Sequence, residues 1–304
     1  MLAANQSLLI EADVFLMKKY HSIFHEWTPE DVQYLSQFGL KAKVGYMWIY
    51  IEDESTYRTV TEHYKALNVD YLDYSKNGYY SYSKEEVMAA PYCYLANTSY
   101  ACGYPKPENS YVTKTFDTSQ MCQRCNVGRK QKRPFHISKL SKSGFWTFYG
   151  WETGTYFVSD EVYETVFAPY GIQRIPVVMT SGKIAEGVSQ LQFPVAEESL
   201  DFYSYRYKVC PQCGVKRYLL DEVWKHPYFP LHRSPIPGAF IIKEVFGEGA
   251  IVDYPLLLSA EVVKKLLSMK LVDLGSLIPC APDIEQYWGA KSLYDTDALC
   301  GVEE

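Results

Sequence analysis

The chain has 304 residues and a formal net charge of −6. A chain of this length can bury a core without depending on a metal or disulfides, and it predicts one large or two moderate domains. No apolar run approaches the roughly 18 residues of a membrane span, and residues 1–10 lack the basic start of a secretion signal. These observations predict a cytoplasmic protein with no membrane contact.

Residues 1–110 are predicted to form an N-terminal α/β domain. Residues 1–40 are interpreted as two helices, the second capped by Thr28 with Pro29 in its first turn. The first helix would place His21 and His25 on one face, where they could bind a metal. No third ligand is in view, so exposed histidines are the preferred interpretation.

The remainder of this first domain alternates strand and helix patterns. The sequence predicts strands over 44–51, 69–74 and 92–95, with helices over 56–67 and after Ser83. A stretch rich in turn residues, 103–110, marks a domain boundary. The overall prediction is an α/β (α+β) protein whose second domain spans 111–304.

The second domain contains two similar segments, at about 122–179 and 210–280. Residues 157–162 (FVSDEV) match residues 257–262 (LLSAEV), and each match leads into a strand that contains Ile-Pro. Ser159 and Ser259 are predicted helix N-caps, which gives each segment a strand, Ser, helix, strand order. The alternative is that two such capped helices occur by chance, but both follow a CxxC pair in the same order. We therefore interpret the domain as a duplicated β-α-β unit, with irregular structure after Pro282.

The two CxxC pairs are the strongest chemical signal in the chain. Each pair supplies two thiolates from a tight turn, and together they complete the four-ligand set of a structural zinc site. The predicted ligands are Cys122, Cys125, Cys210 and Cys213. The alternatives are a redox-active pair, which would need a helix directly after the CxxC, and knuckles that no longer bind metal. The other cysteines, Cys93, Cys102, Cys280 and Cys300, lack this spacing and are interpreted as idle or buried thiols.

Residues 122–143 hold seven basic and no acidic side chains. Candidates for contact with a partner or with phosphate are Arg124, Arg129, Lys130, Lys132 and Arg133, followed by Lys139 and Lys142. The alternatives are a solvated loop and an internal match to acidic parts of the chain. Nearby aromatic residues also allow a nucleic-acid-binding zinc protein; they are Phe135, Phe145, Trp146, Phe148 and Tyr149.

No catalytic pattern stands out among the six histidines, and there is no GxSxG or phosphate-binding glycine loop. Four thiolates around one zinc leave no open position for water. The sequence therefore predicts a protein that is not an enzyme.

The second half resembles the bacterial double-CxxC proteins, some of which are grouped with immunity proteins of polymorphic toxin systems. The resemblance covers roughly residues 120–282 and rests on both CxxC pairs, Phe157 to Ser159, Ile175-Pro176 and the glycines Gly247 and Gly249 ahead of Leu257. It implies a protein that neutralises a cognate toxin by direct binding. The negative charge of the chain suits a basic toxin. A nucleic-acid-binding protein is the alternative, and a scaffold without such a partner is a third.

Overall fold

The computed structural model describes residues 18–73, 79–150, 152, 154–200, 202, 205–224, 226, 228–230 and 236–281. Several predictions fall partly or wholly outside these residues. They concern the start of the first helix, the tail after Pro282, and Cys300.

Within the described residues the chain is mixed α and β, which confirms the predicted fold class. The strands are β1 (Lys18–Trp27), β2 (Gly45–Ile51), β3 (Leu72–Asp73), β4 (Tyr79–Ser81), β5 (Tyr92–Leu95), β6 (Phe116–Asp117), β7 (Lys130–Gln131), β8 (His136–Ile137), β9 (Phe145–Thr147), β10 (Tyr156–Ser159), β11 (Gln173–Met179), β12 (Ile184–Gln192), β13 (Tyr207–Val209), β14 (Lys216–Tyr218), β15 (Phe229–Pro230), β16 (Ala239–Ile241), β17 (Val245–Phe246), β18 (Leu256–Ser259) and β19 (Leu277–Ala281). The helices are α1 (Pro29–Ser36), α2 (Glu54–Ala66), α3 (Lys84–Ala89), α4 (Tyr111–Thr115), α5 (Asp160–Val162) and α6 (Ala260–Ser268). Short 3-10 segments lie at Ala168–Tyr170, Leu220–Trp224 and Leu274–Ser276.

The N-terminal part is a small antiparallel sheet in which β1 pairs with β2, β3 and β4. Helices α1 and α2 contribute to one core with the sheet, around Ile23, Trp27, Leu35 and Val60. The prediction of α1 is confirmed. Thr28 caps its N-terminus in a capping box with Asp31. The predicted strand and helix that follow are also present, as β2 and α2.

The predicted helix that reaches residue 27 is wrong over its described part, because residues 18–27 form strand β1. Here Ile23 and Trp27 are buried on one face of the strand. His21 and His25 therefore lie four residues apart on an extended chain, about 13 Å, and cannot share a metal ion. His21 instead contacts the Glu54 carboxylate at 2.9 Å and stacks on Tyr57.

Two five-stranded sheets in the described residues have the same order and the same strand directions. The first runs β9-β10-β12-β11-β8, and the second runs β16-β18-β5-β19-β15. In each sheet three successive pairs are antiparallel and the last pair is parallel. The two sequence segments that match, at 144–179 and 239–280, occupy equivalent positions in the two sheets.

The two sheets share one core between them. Val158 of β10 and Leu258 of β18 both point into it, together with Val262 and Leu266 of α6. The preceding residue of each strand, Phe157 or Leu257, packs into a separate outer cluster, as the period of two along a strand requires. The strands are buried on both faces, which explains their almost continuous apolar sequences.

The second sheet takes its central strand from far away in the sequence. β5 precedes the first CxxC pair, yet it lies between β18 and β19. The division of the chain at residue 110 stays a prediction, but β5 lies on the N-terminal side of it and pairs only with strands from the C-terminal side.

The central strands are β12 in the first sheet and β5 in the second. The chain that follows each of them runs to the edge strand of the other sheet. After β5, the N–H of Cys102 donates to the carbonyl of Thr147 in β9 at 2.9 Å. After β12, the N–H of Ala196 donates in the same way to the carbonyl of Ile241 in β16 at 2.8 Å. These equivalent crossings tie the two sheets together through the backbone.

The predicted serine caps differ in outcome. The Ser159 hydroxyl accepts a hydrogen bond from the N–H of Val162 at 3.3 Å, so this cap is confirmed. After α5 the helix widens into a π-helical turn over Tyr163–Phe167. Ser259 occupies the cap position of α6, but its buried hydroxyl has no hydrogen-bond partner in the structure, so the predicted cap bond is wrong.

Candidate metal centre

Each CxxC pair lies in the loop of a two-stranded hairpin, the first between β6 and β7 and the second between β13 and β14. The two loops fold in the same way. The N–H of Cys122 donates to Val127 at 2.9 Å, and that of Cys210 donates to Val215 at 3.0 Å. Directly after each pair the backbone turns left-handed, at Asn126 and at Gly214. Glycine and asparagine tolerate this conformation best, which is why these residue types follow the pairs.

The four sulfurs meet in one cluster. All four lie within 4.8 Å of one another. The Sγ atoms of Cys122 and Cys210 are 3.8 Å apart, and those of Cys125 and Cys213 are 3.6 Å apart. A tetrahedral thiolate site with metal–sulfur bonds of about 2.3 Å has sulfur–sulfur edges of about 3.8 Å. The four cysteines therefore have the separation that one metal ion needs.

The cluster stabilises thiolate at two of its corners. Burial raises the pKa of Cys122, but backbone N–H groups of Arg124 and Cys125 outweigh it and lower that pKa below its usual value. Backbone N–H groups of Cys213 and Gln212 donate toward the Cys210 sulfur and lower its pKa to about 6. Burial instead raises the pKa of Cys125 to about 12. A divalent cation bound at the centre would favour the thiolate form at every corner, since thiolate is the form that binds metal.

Redox chemistry finds little support in the local structure. The residues after the pairs form strands β7 and β14. A reactive CxxC thiol usually sits at a helix N-terminus, which neither pair does.

Arg129 is not part of a solvent-facing basic segment. Its side chain is only 12% exposed, and its guanidinium lies 2.7 Å from the carboxylate of Glu152 and over the ring of Phe116. The hydroxyl of Tyr111 donates to the same carboxylate at 2.7 Å. This pair holds the first hairpin against the first sheet. The charge of Arg129 is thus already matched by Glu152, and its predicted partner or phosphate contact stays a prediction.

The arginine at the matching position of the second hairpin is also buried. Arg217 is buried and donates to the backbone carbonyls of Gly249 and Ile251. The sequences after the two CxxC pairs align Arg129 with Arg217, and this coincidence was a signal that both arginines serve the fold. Sequence reasoning missed Glu152 and Tyr111, because nothing local marks them as partners of Arg129.

We expect Glu152→Ala to lower the free energy of unfolding by about 3–5 kcal/mol, because it leaves a largely buried guanidinium without its counter-ion. The matched control is Glu248→Ala, whose partner Lys208 is 72% exposed and whose loss should cost about 0–1 kcal/mol. Urea unfolding followed by tryptophan fluorescence gives both values. Equal losses in the two variants would contradict the buried role of Arg129.

The other predicted contact residues lie on the surface. Arg124, Lys130, Lys132 and Arg133 are all exposed, and so are Lys139 and Lys142. Four of the five aromatic residues of the nucleic-acid interpretation lie in the cores of the sheets: Phe135, Phe145, Trp146 and Phe148 are at most 1% exposed. The fifth, Tyr149, is 49% exposed. Among the remaining cysteines, Cys93, Cys102 and Cys280 are buried.

Comparison of the chain with models of protein families, with curated proteins and with solved structures gave no match. Within the described residues, the four-cysteine cluster is the single group of side chains suited to holding a metal. Those residues also contain no helix of the length and hydrophobicity that a bilayer span requires.

Proposed function

We propose that the protein is a non-enzymatic binding protein in which one structural zinc ion joins two hairpins and, through them, two similar sheets. The observation that carries the proposal is the closed set of four sulfurs contributed equally by the two hairpins. Zinc is the metal that tetrahedral four-cysteine sites most commonly hold in proteins. All four coordination positions are taken by protein, so water has no place to be activated.

The partner we propose is another protein, and the role is that of an immunity protein that neutralises a cognate bacterial toxin by covering its active surface. Support comes from the resemblance of residues 120–282 to the double-CxxC proteins and from the four clustered cysteines, whose closed ligand set suits a structural ion more than a reactive one. A reducing cytoplasm, where such thiols persist without forming disulfides, suits this role.

Co-expression with the product of the neighbouring gene, as the candidate toxin, tests this function. We expect the chain to restore growth of a bacterial host that expresses the toxin, and to co-purify with it in a fixed ratio. A specific, stable protein–protein complex buries about 1,600 Å² of surface and stays intact in gel filtration at micromolar concentration. The proposal fails if growth is not restored and the two proteins elute separately.

A further inference from the structure

The first hairpin and the loop after it expose a set of cations that lack ionic partners. In the described part of the chain, none of these side chains lies within salt-bridge distance of a carboxylate. We call this set the basic surface; it consists of Arg124, Lys130, Lys132, Arg133, Lys139 and Lys142. The acid beside it is Asp117, whose pKa is lowered first by the N–H of Ser119 and then by Lys132 and Lys130.

The second hairpin serves as an internal comparison, because it has the same fold and its cations have partners. Arg206 contacts Asp221 at 3.0 Å and Glu222 at 2.7 Å. Lys208 contacts Glu248 at 2.7 Å, and the ammonium of Lys216 lies 3.9 Å from the ring centre of Tyr207.

The cations of the second hairpin therefore have partners, whereas Arg124 and Lys130 of the first hairpin, and four cations in the loop after it, have no ionic partner among the described residues. An unneutralised cluster of like charge repels itself and contributes nothing to folding. The hairpin and the metal site do not explain the basic surface, and an anionic ligand does.

The surroundings of the basic surface favour a protein over a nucleic acid. Binding of single strands relies on aromatic side chains that stack on bases. Of the nearby aromatics, Phe135, Trp146 and Phe148 are buried in the core of the first sheet. Tyr149 is exposed, but its ring packs against that of Tyr104. Carboxylates of a protein surface need neither stacking nor a high density of charge.

We propose that the basic surface is the part of the molecule that contacts a carboxylate-rich face of its partner protein. This proposal rests on the proposed function and deepens it by locating the contact. It also replaces the simpler expectation that the acidic chain attracts a basic toxin, because the charge that is free to attract a partner here is positive.

The test compares two charge-reversal variants of the full chain. Lys130→Glu/Lys132→Glu alters the basic surface, and Lys183→Glu/Lys264→Glu alters two exposed lysines elsewhere and changes the net charge equally. The probes are a labelled poly-L-glutamate of about 20 residues and an oligo-dT of about 20 nucleotides, followed by fluorescence anisotropy between about 50 and 200 mM NaCl. Zinc content and circular dichroism verify that both variants are folded.

We expect wild type to bind poly-glutamate with an affinity that falls as salt rises. The Lys130/Lys132 variant should bind at least about tenfold more weakly, and the Lys183/Lys264 variant within about twofold of wild type. The proposal is overturned if poly-glutamate does not bind, if both variants lose affinity equally, or if oligo-dT binds more tightly than poly-glutamate.

The same variants distinguish a failure of this proposal from a failure of the proposed function. If poly-glutamate binds as expected but the product of the neighbouring gene forms no complex, the toxin assignment is wrong and the basic surface stands. If the toxin complex forms and the Lys130/Lys132 variant associates with it as fast as wild type does, the contact lies elsewhere and the toxin assignment stands.

Discussion

Cys210→Ser is expected to abolish stoichiometric zinc binding and to lower the melting temperature by roughly 10 °C. The serine hydroxyl is a poor zinc ligand at neutral pH, so the variant has three thiolate ligands and the four-ligand set is incomplete. Free zinc at about 1,000 times its dissociation constant stabilises a folded chain by about 4 kcal/mol, which for a chain of this size is roughly 10 °C. The measurements are zinc per chain after anaerobic purification and thermal unfolding by circular dichroism.

The matched control for this variant is Cys102→Ser, a buried cysteine outside the cluster. It should lose some stability from placing a hydroxyl in an apolar core, yet it should keep one zinc per chain. Chelation should then lower the melting temperature of wild type and of Cys102→Ser, and leave Cys210→Ser unchanged. Zinc bound by Cys210→Ser at the wild-type level would rule out the shared site.

The cysteine cluster was predictable from the sequence in part, because the fold of each CxxC loop depends on local residues. The CxxC spacing and the residue after each pair specify a turn that presents two sulfurs, and the structure folds both loops in that way. Local signals likewise specified α1, through Thr28, Pro29 and Asp31. The two pairs lie 88 residues apart, and no local pattern predicts that they meet. Their convergence was inferred from the number of ligands, because two pairs together complete a four-ligand site.

Predictions failed where distant residues decide the outcome. Residues 18–27 carry apolar side chains four residues apart, a spacing compatible with a helix or a strand. Pairing with β2 along seven residue pairs makes this segment a strand. The sequence predicted a strand at residues 92–95 but not its place in the second sheet. Pairing partners of a strand are not encoded in its local sequence pattern. Arg129 looked like part of a basic run because its partner, Glu152, lies 23 residues downstream in a different element.

A chain divided in the turn between β11 and β12 is expected to yield two halves, 1–182 and 183–304, that do not fold separately and that assemble when co-expressed. This division removes β12 from the first sheet and leaves β5, the central strand of the second sheet, on the other fragment. In β5 the side chains of Tyr92, Tyr94 and Leu95 are all buried. Each large apolar side chain contributes about 2 kcal/mol when buried, and two ladders of hydrogen bonds are lost besides. Such a loss is comparable to the whole stability of a typical domain, about 5–15 kcal/mol.

Assembly of the two halves should also depend on the metal, since each half carries two of the four cysteines. Circular dichroism and thermal unfolding of each half alone, of the mixture with zinc and of the mixture with chelator measure the effect. A second division, between Glu198 and Ser199, leaves every strand of the first sheet on one fragment, so here the N-terminal piece should show its own cooperative unfolding. If the first sheet of fragment 1–182 unfolds cooperatively without the other half, separately from the N-terminal sheet with its own core, β12 is dispensable and the strand order does not govern stability. If the halves assemble equally well with chelator, the sheets hold the molecule together and the metal acts on the hairpins only.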